Sequence, residues 1–172
     1  MKNKIKLSSV TTYKFGGFCN NFYEITEDNI NKYKNIFSDK DSFILGKGSN
    51  VAFSDKDYTG TVIHPNFNNI TYNEKNSEIK AGSSVFLPDL ARFFKSNNLI
   101  NAEFLIGIPG SVGGAIKMNA GSYGWEFSDL FISLEAYDFI KKRYITIKKE
   151  QIDFGYRMSN NLEGKIIVSA KL

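Results

Sequence analysis

The sequence is short of the residues on which most catalytic chemistry is built. It has one cysteine, Cys19, and one histidine, His64. A single cysteine closes no disulfide within the chain and builds no cysteine-based zinc site. A single histidine disfavours a multi-histidine metal centre and a nearby Ser-His triad. Nothing in the spacing of Cys19 and His64 supports a Cys–His pair, so both read as structural residues, Cys19 buried and His64 at a strand end. Arginine is also scarce: only Arg92, Arg143 and Arg157 stand among 22 basic residues. Nucleic-acid binders cluster their basic residues on one face. Here lysine is scattered among asparagine, so the net charge of +4 suits an anionic ligand and no nucleic-acid partner is expected. No apolar run approaches the roughly 20 residues of a membrane span. Residues 1–10 carry charge but no apolar segment of a secretory signal. The reading is a soluble, cytoplasmic protein with no membrane partner.

What is present is enough for a packed core. The chain has 172 residues, 42% hydrophobic and 23% charged, with 15% aromatic residues to bury area. That is one ordinary domain or two small lobes. No internal repeat stands out. Gly16-Gly17 mark a tight turn or a close backbone approach. Phe22–Ile25, Ser42–Leu45, Val51–Phe53 and Thr61–His64 read as strands, the last stopped by Pro65. After Thr26-Glu27-Asp28, residues Ile30, Tyr33, Lys34 and Phe37 follow at helical spacing. The polar stretch 66–76 separates two lobes, 1–66 and 67–172. In the second, Glu78–Ala81 is a strand closed by Gly82. Leu87, Leu90, Ala91 and Phe94 place a core-facing stripe on a helix over 87–98, with Pro88 in its first turn. Residues 130–137 and 144–147 form a hairpin, and 165–172 a last strand, either an ordinary edge or the point where a longer protein was cut.

Three segments carry chemistry. In Gly46-Lys47-Gly48-Ser49-Asn50 two glycines let backbone N–H groups converge on an anion, while Ser49 and Asn50 add donors and Lys47 adds charge. The loop lies between strands and lacks a P-loop ending. A ligand-free β-turn is the competing reading. The second segment runs Gly107-Ile108-Pro109-Gly110-Ser111-Val112-Gly113-Gly114-Ala115, then Met118-Asn119-Ala120-Gly121-Ser122-Tyr123-Gly124. Pro109 sets a turn, and Gly110-Ser111 open a short helix whose free N–H groups would face a phosphate. Gly113, Gly114 and Ala115 leave room for a flat ligand, with Asn119, Ser122 and Tyr123 around it. Close packing of a tight loop is the alternative. Two such loops in one short chain favour a large, phosphate-bearing cofactor. The third segment, Phe154-Gly155-Tyr156-Arg157-Met158-Ser159, presents an arginine fork suited to a carboxylate.

In this order the segments resemble the UDP-N-acetylenolpyruvoylglucosamine reductase family, flavoenzymes also called UDP-N-acetylmuramate dehydrogenases. Thr11-Thr12-x-x-Phe15-Gly16-Gly17 is similar to the family's opening motif. Leu45–Asn50 resembles its first flavin loop, 107–115 with 118–121 its second, and Phe154–Ser159 its arginine motif. The resemblance implies an α+β, FAD-binding fold of the vanillyl-alcohol-oxidase (PCMH) type, two lobes with the flavin between them. It implies FAD, NADPH as reductant and UDP-GlcNAc-enolpyruvate as substrate, in cytoplasmic peptidoglycan precursor synthesis, hence cell-wall biogenesis, cell shape and division. By this match Gly46, Lys47, Gly48, Ser49 and Asn50 hold the pyrophosphate. Pro109, Gly110, Ser111, Gly113, Gly114, Asn119, Gly121, Ser122 and Tyr123 line the flavin. Arg157 is the catalytic residue and, with Tyr156, binds the substrate carboxylate, stabilising charge that develops there.

The family continues into a third, substrate-binding domain, with a proton-donating serine and a glutamate near its C-terminus. The sequence stops before both, and Ser159 belongs to the arginine motif. The expectation is therefore the FAD-binding part of such an enzyme, incomplete for turnover alone, with a separate chain as one source of the missing domain. The rival readings are a flavin-binding module without turnover and a related flavin oxidoreductase with another substrate.

Overall fold

In a computed structural model the described residues are 2–33, 35–36 and 41–172. The chain divides into two compact units, Met1–Asn66 and Phe67–Leu172. The first is built on four strands, β1 (Lys2–Lys6), β2 (Phe18–Ile25), β3 (Ser42–Ile44) and β4 (Tyr58–Pro65). Their order is β1-β2-β4-β3. β1 is antiparallel to β2, whereas β2 and β3 both run parallel to β4. A central strand covered on both faces needs a continuous apolar run. Thr61, Val62 and Ile63 of β4 are accordingly all buried. The core here is Leu7, Cys19, Phe22, Leu45 and Val62. Cys19 is fully buried, as read from its sequence context.

Two sequence expectations fail in this unit. Val51–Phe53 is not a strand. Its apolar character serves packing instead: the Phe53 ring meets Phe43 and Tyr58 edge-on, both at 5.6 Å between centroids. Of the helix expected after Thr26, the described residues show a 3-10 turn at Ile30–Tyr33. The Thr26 N–H donates to Asn29 Oδ1 at 2.9 Å, closing the chain into a turn ahead of it. Lys34 and Phe37, also assigned to that helix, lie outside the described residues. The Gly16-Gly17 pair does make the expected close approach. The Leu7 N–H donates to Gly17 O at 2.9 Å, and the Gly17 N–H donates to Ser54 O at 3.1 Å.

The second unit begins with β5 (Ile70–Asn73) and β6 (Glu78–Gly82), then α1 (Leu87–Ser96) and α2 (Val112–Met118). There follow β7 (Gly121–Ser122), β8 (Trp125–Glu126) and a one-turn α3 (Phe127–Leu130). It ends with β9 (Ser133–Asp138), β10 (Arg143–Lys148), β11 (Phe154–Gly155), β12 (Met158–Ser159) and β13 (Lys165–Lys171). Five of these form an antiparallel sheet in the order β10-β9-β13-β6-β5. The predicted stripe holds: Leu87, Leu90, Ala91 and Phe94 of α1 are all buried. Each such large side chain contributes roughly 1.5–3 kcal/mol of burial. α1 has no side-chain cap, and its Leu87 N–H is satisfied by Gly110 O at 3.0 Å. The helix stops two residues early, at Ser96, and Asn98 takes a left-handed φ of 56°.

β13 is no edge strand. It pairs β9 on one side and β6 on the other. Val168, Ser169 and Ala170 are buried in succession, as a central strand requires.

Between β9 and β10 the carboxylate of Asp138 organises the turn. Its Oδ1 accepts from the Lys141 N–H at 2.9 Å and from the Ile140 N–H at 3.0 Å. These bonds, the Lys141 one first, hold the Asp138 carboxyl below its ordinary value, with the charges of Lys165 and Lys141 adding to the effect. A folded-state value below the unfolded one means stability that is present at neutral pH and lost on acidification. Asp138→Asn keeps an acceptor but removes the charge. It is expected to lower the denaturation midpoint at pH 7, with the deficit shrinking as pH falls below about 3.9, the unfolded carboxylate value. Denaturant titrations of both proteins across that range check this.

Candidate functional site: two glycine loops and an arginine hairpin

In the first unit the chain leaves β3 through Leu45, whose N–H donates to Ile63 O at 2.8 Å. Its carbonyl lies 2.9 Å from His64 Nδ1. A carbonyl only accepts, so Nδ1 carries the hydrogen. The loop Gly46–Asn50 then folds back on the Thr11-Thr12 segment. The Thr12 N–H donates to Gly48 O at 2.9 Å. Gly48 has a φ of 67°, and a Cβ there would stand 2.3 Å from Val10 O, so only glycine fits. Beside the loop is a cavity of about 290 Å³, lined by Ser9–Thr12, Lys14, Gly46, Lys47 and His64. Lys47 and Asn50 are exposed and Ser49 half-buried.

In the second unit Ser111 caps α2 as the sequence predicts, its Oγ accepting from the Gly114 N–H at 3.4 Å. The N–H groups behind it are not free. Val112 N–H donates to Val85 O at 3.0 Å, Gly113 N–H to Ser83 O at 2.8 Å, and Ala115 N–H to Ser111 O at 2.8 Å. The expected phosphate-facing helix start is therefore corrected. The turn between β6 and α1 has taken those donors. Gly113 is needed for that contact, since a Cβ would lie 3.1 Å from Ser83 Cβ. Gly114 differs: the nearest atom to a Cβ there is Ser111 Oγ at 3.5 Å, leaving its face open. Ser83 Oγ is buried with no hydrogen-bond partner.

At the other end of α2 stands Asn119, 1% exposed and left-handed at φ 40°. Its Nδ2 donates to Glu126 Oε2 at 2.6 Å and to Gly155 O at 3.1 Å. Its Oδ1 accepts from the Ser128 N–H at 3.1 Å. The side chain is used within the protein, so Asn119 orders the site rather than offering a donor to a ligand. β7 and β8 form a hairpin whose tip, Tyr123-Gly124, is left-handed at φ 55° and 85°. Tyr123 is 93% exposed there, and Ser122 is half-buried.

β11 and β12 form a second hairpin, with Tyr156 and Arg157 at the tip. Arg157 is left-handed at φ 57°. Its Nη2 donates to Gly121 O at 2.8 Å, and Nη1 to Asn119 O at 3.5 Å. The Tyr156 ring lies 5.2 Å from the guanidinium. Ser159, buried at the hairpin's end, donates its hydroxyl to Lys117 O at 3.1 Å, and Lys117 Nζ donates to Ser159 O at 3.0 Å. The hairpin is thus tied to α2 at both of its ends.

A family model described as an FAD binding domain matches residues 38–139. This chain belongs to that family. The α+β, FAD-binding fold of the vanillyl-alcohol-oxidase type expected from the motifs is the fold observed. The resemblance to UDP-N-acetylenolpyruvoylglucosamine reductases also extends over most of the chain. The enzyme of that name from Orientia tsutsugamushi (strain Boryong) is 37% identical over 162 residues, 91% of this chain and 53% of its own length. That from Rickettsia massiliae (strain Mtu5) is 35% identical over 173 residues, 97% and 57% respectively. The solved reductase from Thermus caldophilus superposes with a TM-score of 0.82 at 28% identity, covering 98% of this chain and 60% of that one. An oxidoreductase that catalyses the terminal step of gilvocarcin biosynthesis shares the fold at a TM-score of 0.65 and 13% identity, covering 99% and 40%. The FAD-binding domain chain spans about half the length of the curated relatives it matches.

Of the residues singled out by sequence, Gly46, Lys47 and Gly48 gather with Thr11 and Thr12 in the first unit. Asn119, Gly121, Tyr156 and Arg157 gather at the C-terminal end of α2. Four residues that organise or line these places were not assigned to a site. Glu126 and Lys117 act through partners 7 and 42 positions away. Lys14 lines the cavity from a left-handed backbone, φ 59°, which its residue type does not announce. Ser83 carried no signal at all. Asn119→Ala is expected to cost about 2–4 kcal/mol, because it strands the Ser128 N–H and Gly155 O and puts alanine at a left-handed position. Chemical denaturation checks the magnitude.

Proposed function

We propose that this chain holds FAD and supplies the arginine-bearing part of a UDP-N-acetylenolpyruvoylglucosamine reductase. The reaction is reduction of UDP-GlcNAc-enolpyruvate to UDP-N-acetylmuramate with NADPH, a step of peptidoglycan precursor synthesis in the cytoplasm. The observation that carries this reading is the seating of Arg157 on the backbone of the second glycine loop, through Gly121 O and Asn119 O. That seating joins the motif specific to the reductases to the motif shared by flavin binders.

The residues fit the cofactor. The Gly46–Asn50 loop, with Lys47, suits the pyrophosphate. Pro109, Gly110, Ser111, Gly114, Gly121, Ser122 and Tyr123 would border the flavin. The open face at Gly114 admits a flat ring, and Ser83 Oγ is a polar atom awaiting a partner beside Gly113. Gly113 and Asn119 act by holding this frame. When bound, the flavin supplies the two-electron chemistry between NADPH and the enolpyruvyl group.

Arg157 has five N–H donors, of which two face backbone carbonyls. The other three can meet a carboxylate, and the two carbonyls fix the plane of the fork before the substrate arrives. Tyr156 covers one face of the guanidinium and would flank the same carboxylate. Ser159 is not a proton donor to substrate, since its hydroxyl is buried and bonded to Lys117 O.

The visible spectrum of the purified chain with added FAD, then NADPH, tests the reading. A bound-flavin spectrum is expected, and a folded protein that ignores FAD would overturn it. In a protein spanning the relatives' full length, Arg157→Met is expected to lower turnover by at least about 100-fold with the flavin spectrum retained. Unchanged turnover would remove the proposed role of Arg157.

A further inference from the structure

Arg157 is exposed at a hairpin tip, yet both carbonyls that hold it lead back to one side chain. Nη1 is received by Asn119 O at 3.5 Å and Nη2 by Gly121 O at 2.8 Å. The Asn119 side chain gives its amide N–H to Glu126 Oε2 at 2.6 Å. Gly121 is the residue opposite Glu126 in the β7–β8 hairpin. The hairpin closes tightly there: a Cβ on Gly121 would overlap Trp125 O and lie 3.1 Å from Glu126 Cγ. Between the two acceptors, Ala120 O is occupied by the Phe127 N–H at 2.8 Å. The segment 119–121, which presents both carbonyls to Arg157, is therefore laid along Glu126 and the residue after it.

Glu126 is half-buried, and among the described residues it forms no ion pair. Taking a carboxylate partly out of water without a counter-charge is unfavourable unless strong hydrogen bonds offset the cost. Its backbone is fixed independently, the Glu126 N–H donating to Asp129 Oδ2 at 2.8 Å. The carboxylate also decides which way the Asn119 amide faces. Glu126 Oε2 and Gly155 O only accept, so Nδ2 must meet them, and Oδ1 is left for the Ser128 N–H at 3.1 Å.

We propose that Glu126 is the positioning residue of the arginine fork. Through the Asn119 amide and the paired Gly121, it sets the plane in which Arg157 meets a carboxylate ligand. Its effect on turnover rests on the reductase reading of Arg157; the positioning itself does not.

The test separates reach from charge. Glu126→Gln keeps the acceptor and the reach without the charge. Glu126→Asp keeps the charge but withdraws the carboxylate by about 1.5 Å, beyond hydrogen-bond distance of Asn119. The chain has only three arginines, Arg92, Arg143 and Arg157, so with isotopically labelled arginine the Arg157 guanidinium NMR signals are those lost in Arg157→Met. In the parent chain its Nη signals are expected to be separated by hindered rotation. They should stay separated in Glu126→Gln and merge in Glu126→Asp, with circular dichroism showing that both fold. Glu126→Ala is read in the same way if the aspartate variant does not fold. Signals unchanged in the folded Asp or Ala variant, or never separated in the parent chain, overturn the proposal.

In a protein spanning the relatives' full length, Glu126→Asp is expected to lower kcat/KM for UDP-GlcNAc-enolpyruvate at least about tenfold. The bound-flavin spectrum and the KM for NADPH should be retained. Added to Arg157→Met it should cost nothing further, since the group it positions is gone; an additive loss would mark a merely structural role and overturn the proposal. Unchanged turnover in Arg157→Met would remove the reductase reading and leave the NMR result to decide the positioning. Collapse in Arg157→Met with full activity in Glu126→Asp would remove the positioning role and leave that reading standing.

Discussion

The buried amide of Asn119 is the constraint on which the arginine site depends. One side chain closes α2, ties the β7–β8 hairpin through Glu126, anchors α3 through the Ser128 N–H, and reaches the β11–β12 hairpin through Gly155 O. The Asn119 backbone carbonyl then receives Arg157. A buried amide with four hydrogen-bonding positions is expensive to leave unpaired, so its bonds specify one arrangement of these segments. Arg157 is exposed and sits at a hairpin tip, where a long side chain would ordinarily sample many rotamers. Its orientation is inherited from the buried amide and from Gly121 O.

This arrangement explains why the second glycine loop cannot do the work first assigned to it. A helix start normally offers unsatisfied N–H groups to an anion. Here Ser111 Oγ takes the Gly114 N–H, and Val85 O and Ser83 O take those of Val112 and Gly113. Those bonds lock α2 to the chain entering α1. Rigidity at one end of α2 and a fixed arginine at the other are gained together, and three of the helix's four free N–H groups are used within the protein. On the proposed reading, charge neutralisation falls to Gly46–Asn50 and its cavity, whereas the second loop provides a flat, preorganised surface.

Much of the architecture was legible because its causes are local. The stripe Leu87, Leu90, Ala91, Phe94 predicted α1 correctly, and Gly110-Ser111 marked the start of α2. The failures have non-local causes. Val51–Phe53 has the composition of a strand, but Phe53 is consumed by Phe43 and Tyr58 rather than by a backbone ladder. Residues 165–172 read as an edge strand or a cut end, but a strand's neighbours are set by topology; in the sheet β13 lies between β9 and β6. The glycine loops and Arg157 were found by motif. Lys14, Glu126 and Ser83 were not, since their roles come from where a distant segment arrives.

The two lysines of the cavity and the arginine of the hairpin show how one net charge is used in two ways. Arg157 is paired with carbonyl oxygens, which orient it without neutralising it, so its charge remains available to a carboxylate. Lys14 and Lys47 both line the cavity beside the first glycine loop, and among the described residues neither ammonium group has an ion-pair partner; on the proposed reading the charge of Lys47 serves attraction of the pyrophosphate rather than orientation. Other lysines are paired and screened at the surface, as in the Lys80–Glu135 and Lys171–Glu78 pairs. The scarcity of arginine sharpens the contrast, since the planar fork is placed where geometry matters and point charges where proximity to an anion suffices.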